Sequence, residues 1–277
     1  MPFSTASGPS IYYEISGEGP AFVFVHANPF DHRLWLYQVA HFSSYFRCVT
    51  VDIRGYGRSD QVETPFTLAD MKNDVLGVCR TEGITSAIFC GCSVGSGIAL
   101  LAGLDHPDLA RALILVGGNS RGSANVRRRA EEFSATSDVP GLLRAFLHEV
   151  VAPSFPATPH GRWILSLFTE TAHALSGSAI AQQLRARAAC DMSGRLAELR
   201  IPTLVINGAH DNSLPAGRET AAAVKDARHV ELPGAGHACC IEDPDAFDSA
   251  VIDFLEHNGL WTGATIRSRH RIGAGRI

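Results

Sequence analysis

Gly91-Cys92-Ser93-Val94-Gly95 decides the fold of this 277-residue chain. The pentapeptide fits Gly-x-Ser-x-Gly and lies between the apolar run Ala87-Ile88-Phe89-Cys90 and the small, helix-compatible run from Ser96 to Ala102. A serine on a sharp turn from a buried strand into a helix is held in a strained backbone conformation with its hydroxyl exposed. Glycines flank it because a Cβ there would clash with the neighbouring strand and helix. The Val94 N–H and the helix N-terminus then point to where negative charge would develop. An ordinary Gly-rich turn can show the same five residues, so the flanking chain has to decide.

On both sides of this turn, short apolar strands alternate with helical segments. Ile11–Ile15 alternates as an edge-type strand, whereas Ala21–Val25 is continuously apolar, as a strand buried on both faces should be. Arg47–Val51 is the next strand, residues 67–82 read as a helix, and Leu113–Val116 follows as a strand beyond Ser93. Residues 120–199 carry no strand-like run and three helical stretches, around Val139–Val150, His160–Ala174 and Ala179–Ala189. Strands resume at Pro202–Ile206 and His229–Leu232, and a last helix runs from about Pro244 to His257. The pattern predicts an α/β fold with a mostly parallel, doubly wound sheet. Residues 1–119 and 200–260 form its core, residues 120–199 form a helical cap over the sheet's carboxyl edge, and residues 261–277 form a flexible tail.

Composition excludes several function classes. A net charge of −4 gives no footprint for nucleic acid or an anionic membrane. No apolar run approaches the ~20 residues of a membrane span. Met1-Pro2-Phe3-Ser4 lacks the basic start and apolar stretch of a signal peptide, and the seven cysteines show no paired metal spacing. A reducing, cytoplasmic setting with free thiols is expected. Cys92 and Cys239-Cys240 read as small buried packing residues rather than reactive thiols.

A serine hydroxyl needs a base to take its proton, and the base needs an orienting acid. Both should lie on loops after later strands, in the order serine, acid, histidine. Asp211 follows the Leu204–Asn207 strand and the turn Gly208-Ala209-His210, and His237 follows the next strand on Pro233-Gly234-Ala235-Gly236. The carboxyl ends of an open α/β sheet face one crevice, so three distant segments can converge there. Taken singly, Asp211 could be a turn aspartate and His237 a surface histidine; their joint order makes coincidence improbable. A second oxyanion donor is expected from His26-Ala27-Asn28-Pro29, after the buried strand: the Asn28 N–H partners the Val94 N–H. His26 reads as a structural histidine tying down this loop.

In these residues the chain resembles the α/β-hydrolase fold superfamily, in the subgroup with a helical cap. The resemblance rests on His26–Pro29, Val51–Asp60, Gly91–Gly95, Gly208–Asp211 and Gly234–His237, and spans residues 11 to about 257. In this resemblance Asp52 and Arg54 tie loops together. Ala27 departs from the glycine usual there. The family's alternative acid position reads Gly117-Gly118-Asn119-Ser120, without a carboxylate, which favours Asp211.

Haloalkane dehalogenases and epoxide hydrolases are similar in the first loop, but they use aspartate at the elbow, and an alkyl–enzyme ester cannot form on Ser93. The expected reaction is acyl transfer to water: hydrolysis of a small or medium ester or lactone, with no metal and no organic cofactor. Trp35, Phe146, Trp163 and Phe168 are candidate substrate-pocket residues, with Phe155 and His173 beside them; each could equally pack the cap onto the core. Two alternatives stay open. Carbon–carbon bond hydrolases of ring-cleavage products are similar in fold and use cap arginines, for which Arg162, Arg185 and Arg187 are available, although each reads first as solvated surface charge. A ligand receptor of the same fold with slow turnover is the other.

Overall fold

The continuous apolar runs become the centre of one eight-stranded sheet. The computed structural model describes residues 3–170, 174–261 and 263. The strands are β1 (Phe3–Ser4), β2 (Ile11–Ser16), β3 (Ala21–Val25), β4 (Arg47–Val51), β5 (Ala87–Cys92), β6 (Ala110–Val116), β7 (Thr203–Gly208) and β8 (Arg228–Leu232), in the spatial order β1-β2-β4-β3-β5-β6-β7-β8. The β1–β2 and β2–β4 pairs are antiparallel; every later pairing is parallel. Ile11–Ile15, read as an alternating edge strand, is instead the second strand in, covered by β1, with Ile11, Tyr12 and Tyr13 all buried, whereas β3, β5 and β7 are buried along their whole length.

Alternate residues of the central strands face two separate apolar layers. Val23, Val25, Phe89 and Leu113 pack under α2 (Leu68–Thr81) and α3 (Val94–Asp105). Phe22, Phe24, Ile88 and Ile114 pack against α1 (Leu36–Phe42) and the C-terminal helix Pro244–His257. Helix α2 starts on a reciprocal cap: the Thr67 side chain accepts the Asp70 N–H while Asp70 accepts the Thr67 N–H.

Between β6 and β7 the described residues form four α-helices: α4 (Ala124–Ala135), α5 (Val139–Glu149), α6 (Pro159–Thr169) and α7 (Gly177–Ala188). Their apolar residues join the two layers of the sheet. Phe133 and Ile180 extend the first; Leu147, Ile164 and Phe168 extend the second. Helix α4 went unread in the sequence because it buries only Arg129, Ala130 and Phe133. Its signals are polar: the Ser123 side chain caps Val126 N–H, and Arg128 pairs with Glu132 one turn on. Beyond β7 come α8 (Leu214–Ala223), the single turn α9 (Cys239–Glu242) and α10 (Pro244–His257).

Trp261, expected at the head of a flexible tail, packs instead against Tyr45, with ring centroids 4.8 Å apart, and against Phe46 at 5.8 Å. An indole offers enough apolar area to hold the chain there. The remainder of that tail, apart from Gly263, lies outside the described residues, as does His173. Among the described residues no helix is long and apolar enough to cross a membrane.

Candidate active site

The turn from β5 to α3 holds Ser93 at φ 55°, ψ −110°, a left-handed conformation that a residue with a Cβ enters at a cost of about 1–3 kcal/mol. The turn is this tight because backbone closes on both sides. A Cβ on Gly91 would lie 2.0 Å from the Gly95 carbonyl oxygen, and one on Gly95 would lie 2.1 Å from that of Val25. The Ser93 N–H donates to the Val116 carbonyl at 2.8 Å, fixing the turn to β6. As the first residue of α3, Val94 presents an N–H with no intrahelical acceptor.

The loops after β7 and β8 carry Asp211 and His237. The Asp211 carboxylate accepts the Asn207 side-chain amide at 2.9 Å, the Ser213 N–H at 2.7 Å and the Ser213 hydroxyl at 2.8 Å. His237 Nδ1 lies 2.8 Å from Asp211 Oδ1. The two loops are stitched together: the His210 N–H donates to the Ala235 carbonyl at 3.0 Å, and a Cβ on Gly208 would lie 2.2 Å from it. Burial alone would raise the Asp211 pKa, but the His237 charge and the converging donors outweigh it and hold the carboxyl well below the usual carboxylate range. Burial alone would lower the His237 pKa, but the Asp211 charge and hydrogen bond outweigh it and hold the imidazole above its ordinary value.

Ser93 and His237 both abut the carboxyl end of β6. The imidazole lies over Gly117, where a Cβ would be 2.6 Å from Cε1, and Gly117 directly follows the Val116 carbonyl that takes the Ser93 N–H. No hydrogen bond joins Ser93 Oγ to His237 Nε2 among the described residues; such contacts are often long before substrate binds.

Asn28 sits on the turn that the Phe30 N–H closes onto the Ala27 carbonyl at 2.8 Å. Its own N–H finds no protein acceptor among the described residues, and its side-chain Oδ1 is buried without a partner. Ala27 is fully buried in the second apolar layer. His26 has one tautomer: Nδ1 donates to the Ala27 carbonyl and Nε2 accepts the Ile53 N–H, each at 3.0 Å, while burial lowers its pKa. It is a neutral tie between two loops. Asp52 and Arg54 also tie loops: Asp52 accepts the His32 and Arg58 N–H groups, and Arg54 pairs with Asp74 at 2.6 Å. Asp31, His32 and Asp52 bring three potential metal-ligand atoms within 4.8 Å of one another, but Arg33 already holds Asp31.

The four candidate aromatics part company. Trp35 is fully buried beside Phe24, and Phe168 meets Phe30 edge-on at 4.8 Å. Phe146 carries the Arg129 guanidinium 4.7 Å above its ring. Trp163 is 51% exposed. Gly161, Ile164, Leu165 and Phe168 occupy the inward stripe of α6, and Trp163 falls off that stripe. The arginines divide too. Arg162 donates to the Ala157 carbonyl from an exposed position, and Arg185 pairs with exposed Glu131. Arg187 is not solvated surface charge: it is 5% exposed. Sequence reasoning also missed Asn207, Ser213 and Gly117; only the Gly that follows a strand end was a visible signal.

All four cysteines near the crevice, Cys90, Cys92, Cys239 and Cys240, are fully buried and free, and burial pushes the Cys90 and Cys239 thiols well up.

The profile of the alpha/beta hydrolase fold matches residues 20–244. The chain is 30% identical over 270 residues to 3-oxoadipate enol-lactonase 1 of Acinetobacter baylyi, covering 90% of this chain and 94% of that one. It is 29% identical over 232 residues to RutD of Klebsiella pneumoniae, named as a candidate carbamate hydrolase, covering 80% and 85%. Among solved structures, the enol-lactonase from Burkholderia xenovorans superposes with a TM-score of 0.86 at 31% identity, over 92% of this chain and 100% of that one.

Proposed function

Because the chain belongs to the α/β-hydrolase fold family, we propose that it is a serine hydrolase that cleaves a small or medium carboxylic ester or lactone through an acyl-enzyme. Ser93 Oγ attacks the carbonyl carbon as His237 Nε2 takes its proton. Asp211 holds the Nδ1–H tautomer and stabilises the imidazolium. The Asn28 and Val94 N–H groups receive the oxyanion. The imidazolium returns its proton to the leaving alkoxide. A water then attacks the acyl-enzyme with His237 as base and restores Ser93. In this reading helices α4–α7 act as the cap that bounds the acyl pocket.

The observation that carries the reading is the 2.8 Å contact between His237 Nδ1 and Asp211 Oδ1. With Nδ1 so engaged, Nε2 is the nitrogen left to serve Ser93, and a neutral Nε2 is the proton acceptor this chemistry needs. The enol-lactonase names of two relatives at 30% and 31% identity support an ester-type carbonyl as the target.

A fluorophosphonate probe tests it. Wild type should be labelled covalently and Ser93→Ala should not. A folded wild type that resists the probe and turns over no ester would overturn the reading.

A further inference from the structure

Helix α7 crosses the carboxyl ends of the strands. Its first turn rests on the loop after β4, where a Cβ on Gly55 would lie 3.5 Å from the Ala179 carbonyl. Its last turn reaches α3 and the loop after β6. A Cβ on Gly97 would lie 3.5 Å from Arg187 Nε, and Arg187 Nη2 donates to the Asn119 carbonyl at 2.9 Å and the Arg121 carbonyl at 3.1 Å. The strand order between these anchors is β4-β3-β5-β6. Eight residues of helix rise about 12 Å, and four neighbouring strands span about 14 Å. Gln183 lies midway between these anchors, and at the second of them the Arg187 charge acts on the His237 imidazole and the side chain reaches Gly97, four residues past Ser93.

Two features of this helix lack a protein explanation. Gln183 is fully buried, yet neither its amide oxygen nor its amide nitrogen has a hydrogen-bond partner. Arg187, one turn on, is 5% exposed, and its Nη1 has no partner. Nη2 meets only neutral acceptors: the Asn119 carbonyl, the Asn119 side-chain oxygen and the Arg121 carbonyl. No carboxylate pairs with Arg187 among the described residues, and the residues outside them contain no Asp or Glu. Burial lowers its pKa, opposed only by the Cys190 thiol and by no carboxylate. A buried charge without a counter-ion, beside a buried amide without partners, is unfavourable in the free protein. A ligand that brings one negative charge and planar acceptor oxygens satisfies both.

We propose that Gln183 and Arg187 form a carboxylate-binding subsite over Ser93, so that the substrate is an ester or lactone bearing a second, ionised carboxyl group. This rests on the Ser93 reading and names its substrate class. Arg187 Nη1 donates to one carboxylate oxygen and the Gln183 amide nitrogen to the other. The single positive charge selects a monoanionic group: a phosphate dianion would leave negative charge uncompensated in a buried space. The salt pair anchors the acid end and leaves the reacting carbonyl over Ser93.

The test compares monomethyl esters of succinate, glutarate and adipate with the matching dimethyl esters, by proton release at constant pH. Wild type should show kcat/KM at least about 10-fold higher on the best monoester than on its dimethyl partner. Arg187→Gln should lower that ratio about 10-fold, to near one, Arg187→Lys should keep part of it, and Gln183→Leu should lower it several-fold. Binding of free succinate, glutarate and adipate to Ser93→Ala, followed by calorimetry, reads the subsite without chemistry. Binding that Arg187→Gln abolishes in this background supports the subsite even if no ester turns over. Turnover of both ester classes at equal kcat/KM, with no diacid bound, overturns the subsite and leaves the serine hydrolase intact. If Arg187→Gln does not fold, the wild-type ester ratio and the Gln183→Leu ratio decide alone.

Discussion

His237 Nδ1 and Asp211 Oδ1 stand 2.8 Å apart, and the same carboxylate is held by Asn207 and Ser213. Asp211 is thus fixed before it fixes the histidine. Asp211→Asn should fold, because the Asn207 amide and the Ser213 hydroxyl still find the oxygen at the Oδ2 position, and only the Ser213 N–H loses its acceptor. Its amide nitrogen would face Nδ1 and favour the opposite tautomer, with the proton on the nitrogen that must accept. Turnover should fall about 10⁴-fold with little change in KM. Steady-state kinetics and a thermal melt check this; a fall of less than tenfold would move the orienting role away from Asp211.

The pH dependence follows from the same pair. The Asp211 charge holds the His237 pKa above its ordinary value, and only the neutral imidazole is a base. On an uncharged ester, kcat/KM should rise with pH and level off, with its midpoint above the usual histidine value of about 6.5. Asp211→Asn removes the raising charge, so whatever activity remains should level off at lower pH. A midpoint that stays in place in that variant would assign the titration to another group.

Glu242 also acts on His237, and its effect is separable. Its carboxylate accepts the Gly236 N–H at 2.9 Å and the Ala152 N–H at 2.6 Å, clamping the histidine loop to the segment after α5. Burial pushes its pKa up to about 7, against both hydrogen bonds. The folded state therefore keeps this proton at a pH where the unfolded chain, near 4.5, has lost it. Stability should fall as pH rises between those two values. His237, raised likewise, adds a loss as pH climbs through its own folded value, so the informative quantity is a difference. The melting temperature should drop more steeply from about pH 5 to 7.5 in wild type than in Glu242→Gln. Parallel curves would show that Glu242 titrates alike in both states.

How much of this was legible in the sequence depends on range. Ser93 and Asp211 each follow an apolar run closed by glycine, and His237 follows a short mixed strand and the Gly234–Gly236 loop, signals contained within about ten residues. Gly117 lies beneath the His237 ring from 120 positions away, and no local pattern announces that contact. Arg187 was legible but misread. Ile180, Gln183, Leu184 and Arg187 fall at i, i+3, i+4 and i+7, the spacing of one buried stripe. Arg185 two positions earlier faces out to Glu131. Treating both as solvated charge ignored the helix period. Trp163 and Phe168 were grouped by chemistry, when the α6 period separates them.

Gly117→Ala tests the packing under the base. The glycine has φ +56°, and the added Cβ would sit 2.6 Å from His237 Cε1 and 2.7 Å from Nδ1. The three nearest atoms all belong to the ring, so the variant should fold with a loss of about 1–2 kcal/mol from the left-handed backbone. A base displaced by even about 1 Å should cost around 10²-fold in kcat. Unchanged kcat would mean that the imidazole reaches Ser93 from another rotamer.

Phe168→Ala and Trp163→Ala separate packing from recognition. Phe168 is buried against Phe30, two residues past Asn28, and receives the Arg33 guanidinium 5.4 Å from its ring centre. Its truncation should cost about 3–5 kcal/mol and disturb the loop that carries Asn28, lowering kcat as well as stability. Trp163 is half exposed and off the inward stripe of α6, so its loss should cost no more than about 1 kcal/mol. Denaturant unfolding of both variants, with kcat and KM on one neutral ester, gives the comparison. If Trp163→Ala raised KM at unchanged stability, the indole would belong to the substrate's path, and the outward face of α6 would have to be counted as part of the pocket entrance.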